Sequence, residues 1–221
     1  MRLLTALAAL FALAAAAPPR DWTVVAAKTP AGYYVVGNPR APVRLIEYVS
    51  YTCSHCAAFS VQAEPVLAAQ MVRSGSTSVE VRHFLFNALD LGVVVLARCT
   101  GPRRFLATTA FIYRTQDSWL DRAQLFQQAN GQRLNMYPPL ARLRALVDGS
   151  GLTSAIEAQG LAPAAVDACF ADQAEVDRLT AGMNAIPAGI DGTPSFLLNG
   201  RLITHVGWTQ LEPQLRAAGA H

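Results

Sequence analysis

The chain has 221 residues and a formal net charge of +3, from 18 lysine and arginine residues and 15 aspartate and glutamate residues. These charges form no run of one sign, whereas a protein that binds nucleic acid usually concentrates basic residues on one face, so nucleic-acid binding is not indicated. A chain of about two hundred residues suffices for one generous domain or for a domain that carries an insertion.

The first part of the chain, residues 1–17, is typical of a secretory signal peptide. Arg2 precedes an apolar stretch that ends in alanines, directly before Pro18 and Pro19. The stretch falls short of the roughly 20 residues that span a bilayer, and its small final residues suit signal peptidase. An uncleaved membrane anchor is the alternative. We predict a soluble exported protein in a compartment where disulfides persist.

The next elements predict a parallel pair of strands. Residues 18–42 are expected to form an N-terminal arm with the first short strands. VRLIEYVSY (43–51) is a nearly continuous apolar run, which favours a strand buried on both faces. The composition then becomes helical, and Pro65 should kink or interrupt that helix. VEVRHFLF (79–86) alternates like a second strand, so the order strand, helix, strand indicates a parallel crossover.

The remaining chain divides into a helical block and a second α/β segment. Residues 90–186 show apolar positions at helical spacing, separated by glycine and proline. In residues 187–221, Asn199 and Gly200 stand between two apolar runs, which is a strong hairpin signal, and a closing helix follows. With residues 43–89 as the first half, we predict one α/β sheet interrupted by a helical insertion.

The segment YTCSHCAAF (51–59) carries the most specific chemical signal. Cys53 lies at the predicted start of a helix, where unpaired N–H groups and the helix dipole favour a thiolate. A protonated His55 would add a positive charge within reach of this sulfur. Cys56 lies one helical turn further, so it should be less exposed and less acidic, as suits a resolving thiol. Because a stable thiolate stabilises the reduced protein, the disulfide should pass to substrate thiols.

An inert disulfide or a zinc site could also explain the Cys53/Cys56 pair. A disulfide between these positions closes too small a loop to stabilise much. A zinc site needs a second close pair of ligands, and the remaining cysteines, Cys99 and Cys169, are isolated from each other in the sequence. A redox-active pair that needs neither metal nor cofactor is therefore favoured.

Cys99 and Cys169 both fall in the helical block. In an exported protein two remaining cysteines usually pair, and closing a loop of about 70 residues would stabilise the fold by roughly 4 kcal/mol in the chain-entropy model. Two buried free thiols are the alternative. We predict a structural disulfide.

Three features together resemble the DsbA family of thioredoxin-fold disulfide oxidoreductases: EYVSYTCSHC at a strand-to-helix junction, GTPSFLLNG near the C-terminus, and the helical block between them. The resemblance covers nearly the whole mature chain. It implies a thioredoxin fold with an inserted helical domain, a periplasmic location and net formation of disulfides in reduced or unfolded exported proteins. Cys53 would be the attacking cysteine, Cys56 its resolving partner and Pro194 the cis-proline opposite them. The reoxidant would be a membrane partner of the DsbB type.

The sequence departs from the best-known oxidase of that family at Ser54, where that enzyme has proline, and at Thr193, where it has valine. Ser54 restores a backbone N–H that could bond the sulfur, and Thr193 adds a hydroxyl group near it, so both bear on the redox balance. A cis peptide before Pro194 would turn the Thr193 backbone toward an extended substrate chain as an added strand. An ordinary trans proline is the alternative.

Glu47 lies six residues before Cys53 within the apolar strand, where the family places a buried acid. Desolvation would raise its pKa and let it relay a proton to or from Cys56. A strand-end glutamate with satisfied hydrogen bonds is the alternative.

These features predict an exported thiol:disulfide oxidoreductase that acts as a monomer. A reductase or isomerase with the same cysteine pair is one alternative, although family isomerases carry an N-terminal dimerisation domain for which residues 18–42 leave no room. A metal-handling or non-catalytic binding module of the same fold is the other.

Overall fold

A computed structural model describes residues 20–221. The predicted signal peptide, residues 1–17, lies outside the described residues. Among the helices of residues 20–221, none combines the length and the apolar character that a membrane crossing requires.

The sheet of the described residues has six strands in the spatial order β1-β2-β4-β3-β5-β6. The central strands β3 and β4 run parallel, as predicted, and the other neighbouring pairs run antiparallel. The strands are β1 (Ala26–Lys28), β2 (Tyr34–Gly37), β3 (Val43–Val49), β4 (Thr77–His83), β5 (Ser195–Leu198) and β6 (Arg201–Thr204).

Helices follow β3, β4 and β6, and short 3-10 turns lie at Trp22–Val24 and Met183–Ala185. The α-helices are α1 (Ser54–Ala63), α2 (Ala88–Cys99), α3 (Pro102–Arg114), α4 (Gln116–Leu134), α5 (Pro139–Gly149), α6 (Leu152–Glu157), α7 (Pro163–Phe170), α8 (Gln173–Gly182) and α9 (Trp208–Ala217). The block from α2 to α8 lies between β4 and β5, where the sequence predicts the helical insertion. The architecture is therefore an α/β thioredoxin-like fold.

The strand β3 lies between β4 and β5, so it is central in the sheet. Its residues Val43, Leu45 and Val49 are buried, but Arg44 is exposed, so burial on both faces is less complete than predicted. The strand ends at Val49 rather than at residue 51. The strand ends there because the chain turns at Tyr51 and Thr52.

Pro65 changes the helix that follows the cysteines, as predicted. The α-helical pattern of α1 ends at Ala63, and a π-helical stretch, Glu64–Val72, continues it with Pro65 in its first turn. Proline has no backbone N–H, so it cannot continue the regular hydrogen-bond ladder.

The chain returns to the sheet through the predicted hairpin. Asn199 and Gly200 have φ angles of 49° and 88°, which suits the type of two-residue turn that joins antiparallel strands. The Asn199 side chain also accepts a hydrogen bond from the Arg44 backbone N–H at 2.8 Å, which ties the hairpin to β3.

Within the helical block, Cys99 at the end of α2 and Cys169 in α7 form a disulfide, with their Cα atoms 5.9 Å apart. The helix α2 forms the centre of this block. Its residues Val93, Val94 and Leu96 are fully buried.

Candidate thiol-disulfide active site

Cys53 caps the N-terminus of α1. Its backbone is extended, with φ −90° and ψ 118°, and the helix begins at the next residue. Cys53 follows the C-terminal end of strand β3. It therefore lies beside the first turn of α1, whose N–H groups have no partner within the helix. Cys53 is partly exposed and Cys56 is buried, and both are free thiols in this structure. The order of exposure expected from the sequence is therefore found.

The surroundings of the Cys53 sulfur favour its anion. The Cys56 thiol donates a hydrogen bond to this sulfur and is the largest cause that lowers the pKa of Cys53, which falls from 9.0 to about 5. Partial burial raises the pKa, but the Thr193 hydroxyl and the backbone N–H groups of Cys56 and His55 lower it further. Hydrogen bonds to the charged form stabilise that form.

The second thiol of the pair, that of Cys56, is less acidic than an ordinary cysteine. Burial raises the pKa of Cys56 well above its usual range, and its hydrogen bond to the Cys53 sulfur raises it further. Cys56 therefore stays protonated at neutral pH while Cys53 is a thiolate. The two sulfurs differ strongly in acidity although they lie one helical turn apart.

The side chains of Ser54 and His55 are exposed. The main backbone donors to the Cys53 sulfur belong to Cys56 and His55, whereas the sequence pointed to the N–H of Ser54. The contribution of His55 found here is thus that of its backbone. A contribution from a protonated His55 ring stays a prediction.

Thr193 and Pro194 lie opposite Cys53, and the peptide bond between them is cis. The Cys53 thiol donates to the Thr193 carbonyl oxygen at 3.4 Å. The Thr193 hydroxyl oxygen is buried and has no hydrogen-bond partner among the described residues. Once Cys53 ionises, this hydroxyl can donate to the thiolate and so lower the pKa of Cys53. Thr193 therefore supplies two polar atoms to the sulfur.

A groove of about 360 Å³ runs beside the cysteines, between α1 and the segment that carries the cis peptide. It is lined by His55, Phe59, Thr193, Pro194 and Trp208, among others. Thr193 and Pro194 both line this groove, and the pairing of the Thr193 backbone with an extended substrate chain stays a prediction.

Glu47 faces a second pocket, of about 290 Å³, which it shares with Cys56. Burial raises the pKa of Glu47 to about 7, and no other cause offsets this shift. Among the described residues, no side chain donates a hydrogen bond to this carboxyl group. The remaining wall of the pocket is mainly apolar, which accounts for the desolvation.

Sequence reasoning missed Asp90, which holds the turn before Cys53. Its carboxylate is fully buried and accepts hydrogen bonds from the Ser50 hydroxyl at 2.6 Å, the Tyr51 N–H at 3.0 Å and the Phe86 N–H at 3.2 Å. Burial is the largest cause that raises its pKa to about 6. A single acid near the start of the apolar run ALDLGVVVLA was the available signal, because a buried charge needs partners.

Three further side chains of the helical block hold the same turn, and no pattern in the sequence indicated them. The Tyr113 hydroxyl donates to the Ser50 carbonyl oxygen at 3.2 Å, and the hydroxyl groups of Tyr51 and Thr109 are 2.7 Å apart. Gln116 donates to two backbone carbonyl oxygens of the turn. We call Asp90, Thr109, Tyr113 and Gln116 the turn clamp.

Known proteins share the fold of this chain. The thioredoxin family model matches residues 29–217. A crystal structure of a protein-disulfide isomerase from Novosphingobium aromaticivorans is 31% identical, with a TM-score of 0.75, and the match covers 83% of this chain and 95% of that one. Wolbachia pipientis alpha-DsbA1, at 21% identity and a TM-score of 0.63 over 83% of this chain and 89% of that one, shares the fold.

Curated relatives are longer than this chain. A Rickettsia typhi protein, named provisionally as a protein-disulfide oxidoreductase, is 28% identical over 169 residues, which are 75% of this chain and 54% of that protein. The chain thus spans about half the length of the curated relatives that it matches. The family match over residues 29–217 and the isomerase structure together establish that the chain belongs to the thioredoxin family, with helices inserted between β4 and β5.

Proposed function

We propose that the protein is a thiol:disulfide oxidoreductase that donates the Cys53–Cys56 disulfide to reduced or unfolded exported proteins. The observation that carries this proposal is the divergence of the two thiols: the pKa of Cys53 falls to about 5, while that of Cys56 rises. A thiolate that is stable at neutral pH stabilises the reduced protein, so the disulfide form is a stronger oxidant than it would be with an ordinary cysteine pair.

The exchange starts from the oxidised protein. A substrate thiolate attacks the Cys53 sulfur, because Cys53 is the more exposed of the two cysteines, and forms a mixed disulfide while the Cys56 sulfur leaves as a thiolate. A second substrate thiolate then attacks the substrate sulfur of that mixed disulfide and displaces Cys53 as a stable thiolate. The substrate loses two electrons and gains a disulfide, and the protein gains the two electrons as its reduced cysteine pair.

Glu47 is suited to serve the departing Cys56 sulfur. Because the pKa of Glu47 is about 7, the carboxyl group is partly protonated at neutral pH. It faces the same pocket as Cys56, so a proton can pass from Glu47 to the Cys56 thiolate through that pocket and return in the reverse step. We infer a proton relay rather than a structural role.

The cellular setting follows from the same proposal. The predicted signal peptide would send the protein to the periplasm, where it would act as a monomer on newly exported chains. Its reduced form must return two electrons to an oxidant, for which we propose a membrane partner of the DsbB type.

Isomerisation is the second candidate function. It is favoured by the name of the Novosphingobium relative, a protein-disulfide isomerase. An isomerase uses the reduced pair to attack wrong disulfides, so the two functions differ in which redox form starts the reaction.

The test gives the purified protein a reduced, unfolded substrate and a scrambled one side by side. We expect the oxidised protein to restore the reduced substrate faster, and a Cys53→Ser variant to be inactive on both. If the reduced protein rescues the scrambled substrate faster, the proposed function as an oxidase is wrong and isomerisation takes its place. Thiol counting and metal analysis of the same sample test the remaining alternative, a metal-handling or non-catalytic module.

A further inference from the structure

We propose that Gln116, a residue of the helical block, is a positioning residue that sets the acidity of Cys53 from outside the thioredoxin unit. This inference deepens the proposed function and rests on it for its biological meaning. Its physical content, an effect of Gln116 on the Cys53 thiol, is measurable without any turnover.

The contacts of Gln116 are directed at the backbone on both sides of Thr52. The side-chain amide nitrogen donates to the Tyr51 carbonyl oxygen at 2.7 Å and to the Cys53 carbonyl oxygen at 3.0 Å. The side chain is 3% exposed, so water cannot easily replace it at these two acceptors. One amide group thus uses both of its hydrogens on the turn that carries the reactive cysteine.

The fold presents this amide at a break between two helices. Helix α3 ends at Arg114 and α4 begins at Gln116, with Thr115 between them. The Thr115 hydroxyl donates to the Phe111 carbonyl oxygen at 2.9 Å, and the fully buried Trp119 indole donates to the Ile112 carbonyl oxygen at 2.9 Å. These bonds fix the direction in which α4 starts, so Gln116 is held against the turn.

The Cys53 carbonyl group is the point at which this contact reaches the chemistry. The same oxygen accepts the first regular helical bond, from the Ala57 N–H at 3.1 Å. Its direction therefore sets the orientation of the first turn of α1, and with it the aim of the His55 and Cys56 N–H groups that lower the pKa of Cys53. A donor on each carbonyl also reduces the negative field of these oxygens at the sulfur, which further favours the thiolate.

Glutamine suits this position better than glutamate. Gln116→Glu keeps the size of the side chain but places a carboxylate against two carbonyl oxygens, so the charged form has no donor for them. A protonated glutamate regains one O–H donor. Gln116→Met removes both donors and keeps an unbranched side chain of similar length.

The experiment measures the ionisation of Cys53 in the reduced protein by thiolate absorbance, together with its equilibrium constant with glutathione. Wild type, Gln116→Met and Gln116→Glu are compared with Gln127→Met as a matched control. Gln127 lies on the same helix, and its side chain donates to Ala123 of that helix rather than to the turn. Circular dichroism and thermal unfolding check that each variant is folded.

We expect Gln116→Met to make Cys53 about tenfold less acidic, as the loss of about one net hydrogen bond to the turn would, with a parallel loss of oxidising strength. Gln116→Glu should show a larger loss at neutral pH that shrinks as the pH is lowered, and Gln127→Met should match wild type. An unchanged Cys53 ionisation in both Gln116 variants would overturn the proposal. Loss of folding in both would also overturn it, because Gln116 would then be needed for the fold itself. If the wild type fails to oxidise substrates while these shifts are found, the proposed function fails and the role of Gln116 stands.

Discussion

The Ser50 hydroxyl donates a hydrogen bond to the Asp90 carboxylate, with 2.6 Å between the two oxygen atoms, and neither side chain reaches solvent. Ser50 belongs to the turn that follows β3, and Asp90 belongs to the first turn of α2. A buried carboxylate is tolerated only when donors surround it, so this bond ties the helical block to the turn that leads to Cys53.

Removing this donor should cost stability in a way that depends on pH. Ser50→Ala leaves the Asp90 carboxylate with one donor fewer, and we expect a loss of about 1 to 3 kcal/mol in the free energy of unfolding at about pH 8. Because the pKa of Asp90 is about 6, the loss should be smaller at about pH 4, where the group is neutral. Denaturant unfolding at both pH values measures it. Ser154→Ala, at an exposed helical position, is the control; an equal loss at both pH values would contradict the interpretation.

Glu47 should make the protein less stable as the pH rises. Its pKa is about 7 in the folded protein against 4.5 for a free glutamate, so the neutral acid favours folding below 4.5 and this contribution disappears as the pH rises through 7. The total is at most about 3 kcal/mol, since solvent in the pocket screens the charge. Glu47→Gln should flatten this part of the stability profile in denaturant titrations. A variant profile as steep as that of wild type would show that other groups cause it.

Thr193→Val should make Cys53 less acidic, because it removes the buried hydroxyl that donates to the thiolate. We expect a loss of about tenfold in acidity, measured by thiolate absorbance of the reduced protein. Thr209→Val, at an exposed position of α9, serves as the control. No change in Thr193→Val would assign the low pKa of Cys53 to the other donors alone.

His55→Gln separates two possible contributions of this residue. The backbone N–H of His55, which lowers the pKa of Cys53, remains in the variant, while the ring is lost. We therefore expect a smaller change in Cys53 acidity than in Thr193→Val. A larger change would show that the ring is the main influence, as the sequence alone suggested.

The Cys99–Cys169 disulfide should affect stability and leave the redox chemistry unchanged. Replacing both residues by serine opens a loop whose ends are 70 positions apart, and we expect a loss of roughly 4 kcal/mol in the free energy of unfolding. The ionisation of Cys53 should stay the same. If the double variant alters the glutathione equilibrium of the Cys53/Cys56 pair, the second disulfide is more than structural.

Local patterns predicted much of this molecule. The change from the β-branched run at 43–49 to an alanine-rich segment located Cys53 at a helix start, and Asn199–Gly200 located the hairpin, because each feature depends on neighbours in the chain. The turn clamp could not be predicted in this way, because its contacts join residues that are distant in the chain. Gln116 and Asp90 act on residues far from them in sequence. Nothing near Gln116 distinguishes it from an ordinary helical residue, and the apolar neighbours of Asp90 indicate that its charge needs partners without indicating which ones.

The pairing of β3 with β5 affects the stage of folding at which Cys53 reaches its full acidity. Leu45 pairs with Val79 of β4 and with Leu198 of β5, so the strand before Cys53 finds its second partner only after the helical block has been synthesised. Contacts between such distant residues form late and slowly in folding. A nascent chain therefore lacks the Thr193 hydroxyl beside Cys53, and this contribution to the acidity of Cys53 arises only as folding finishes.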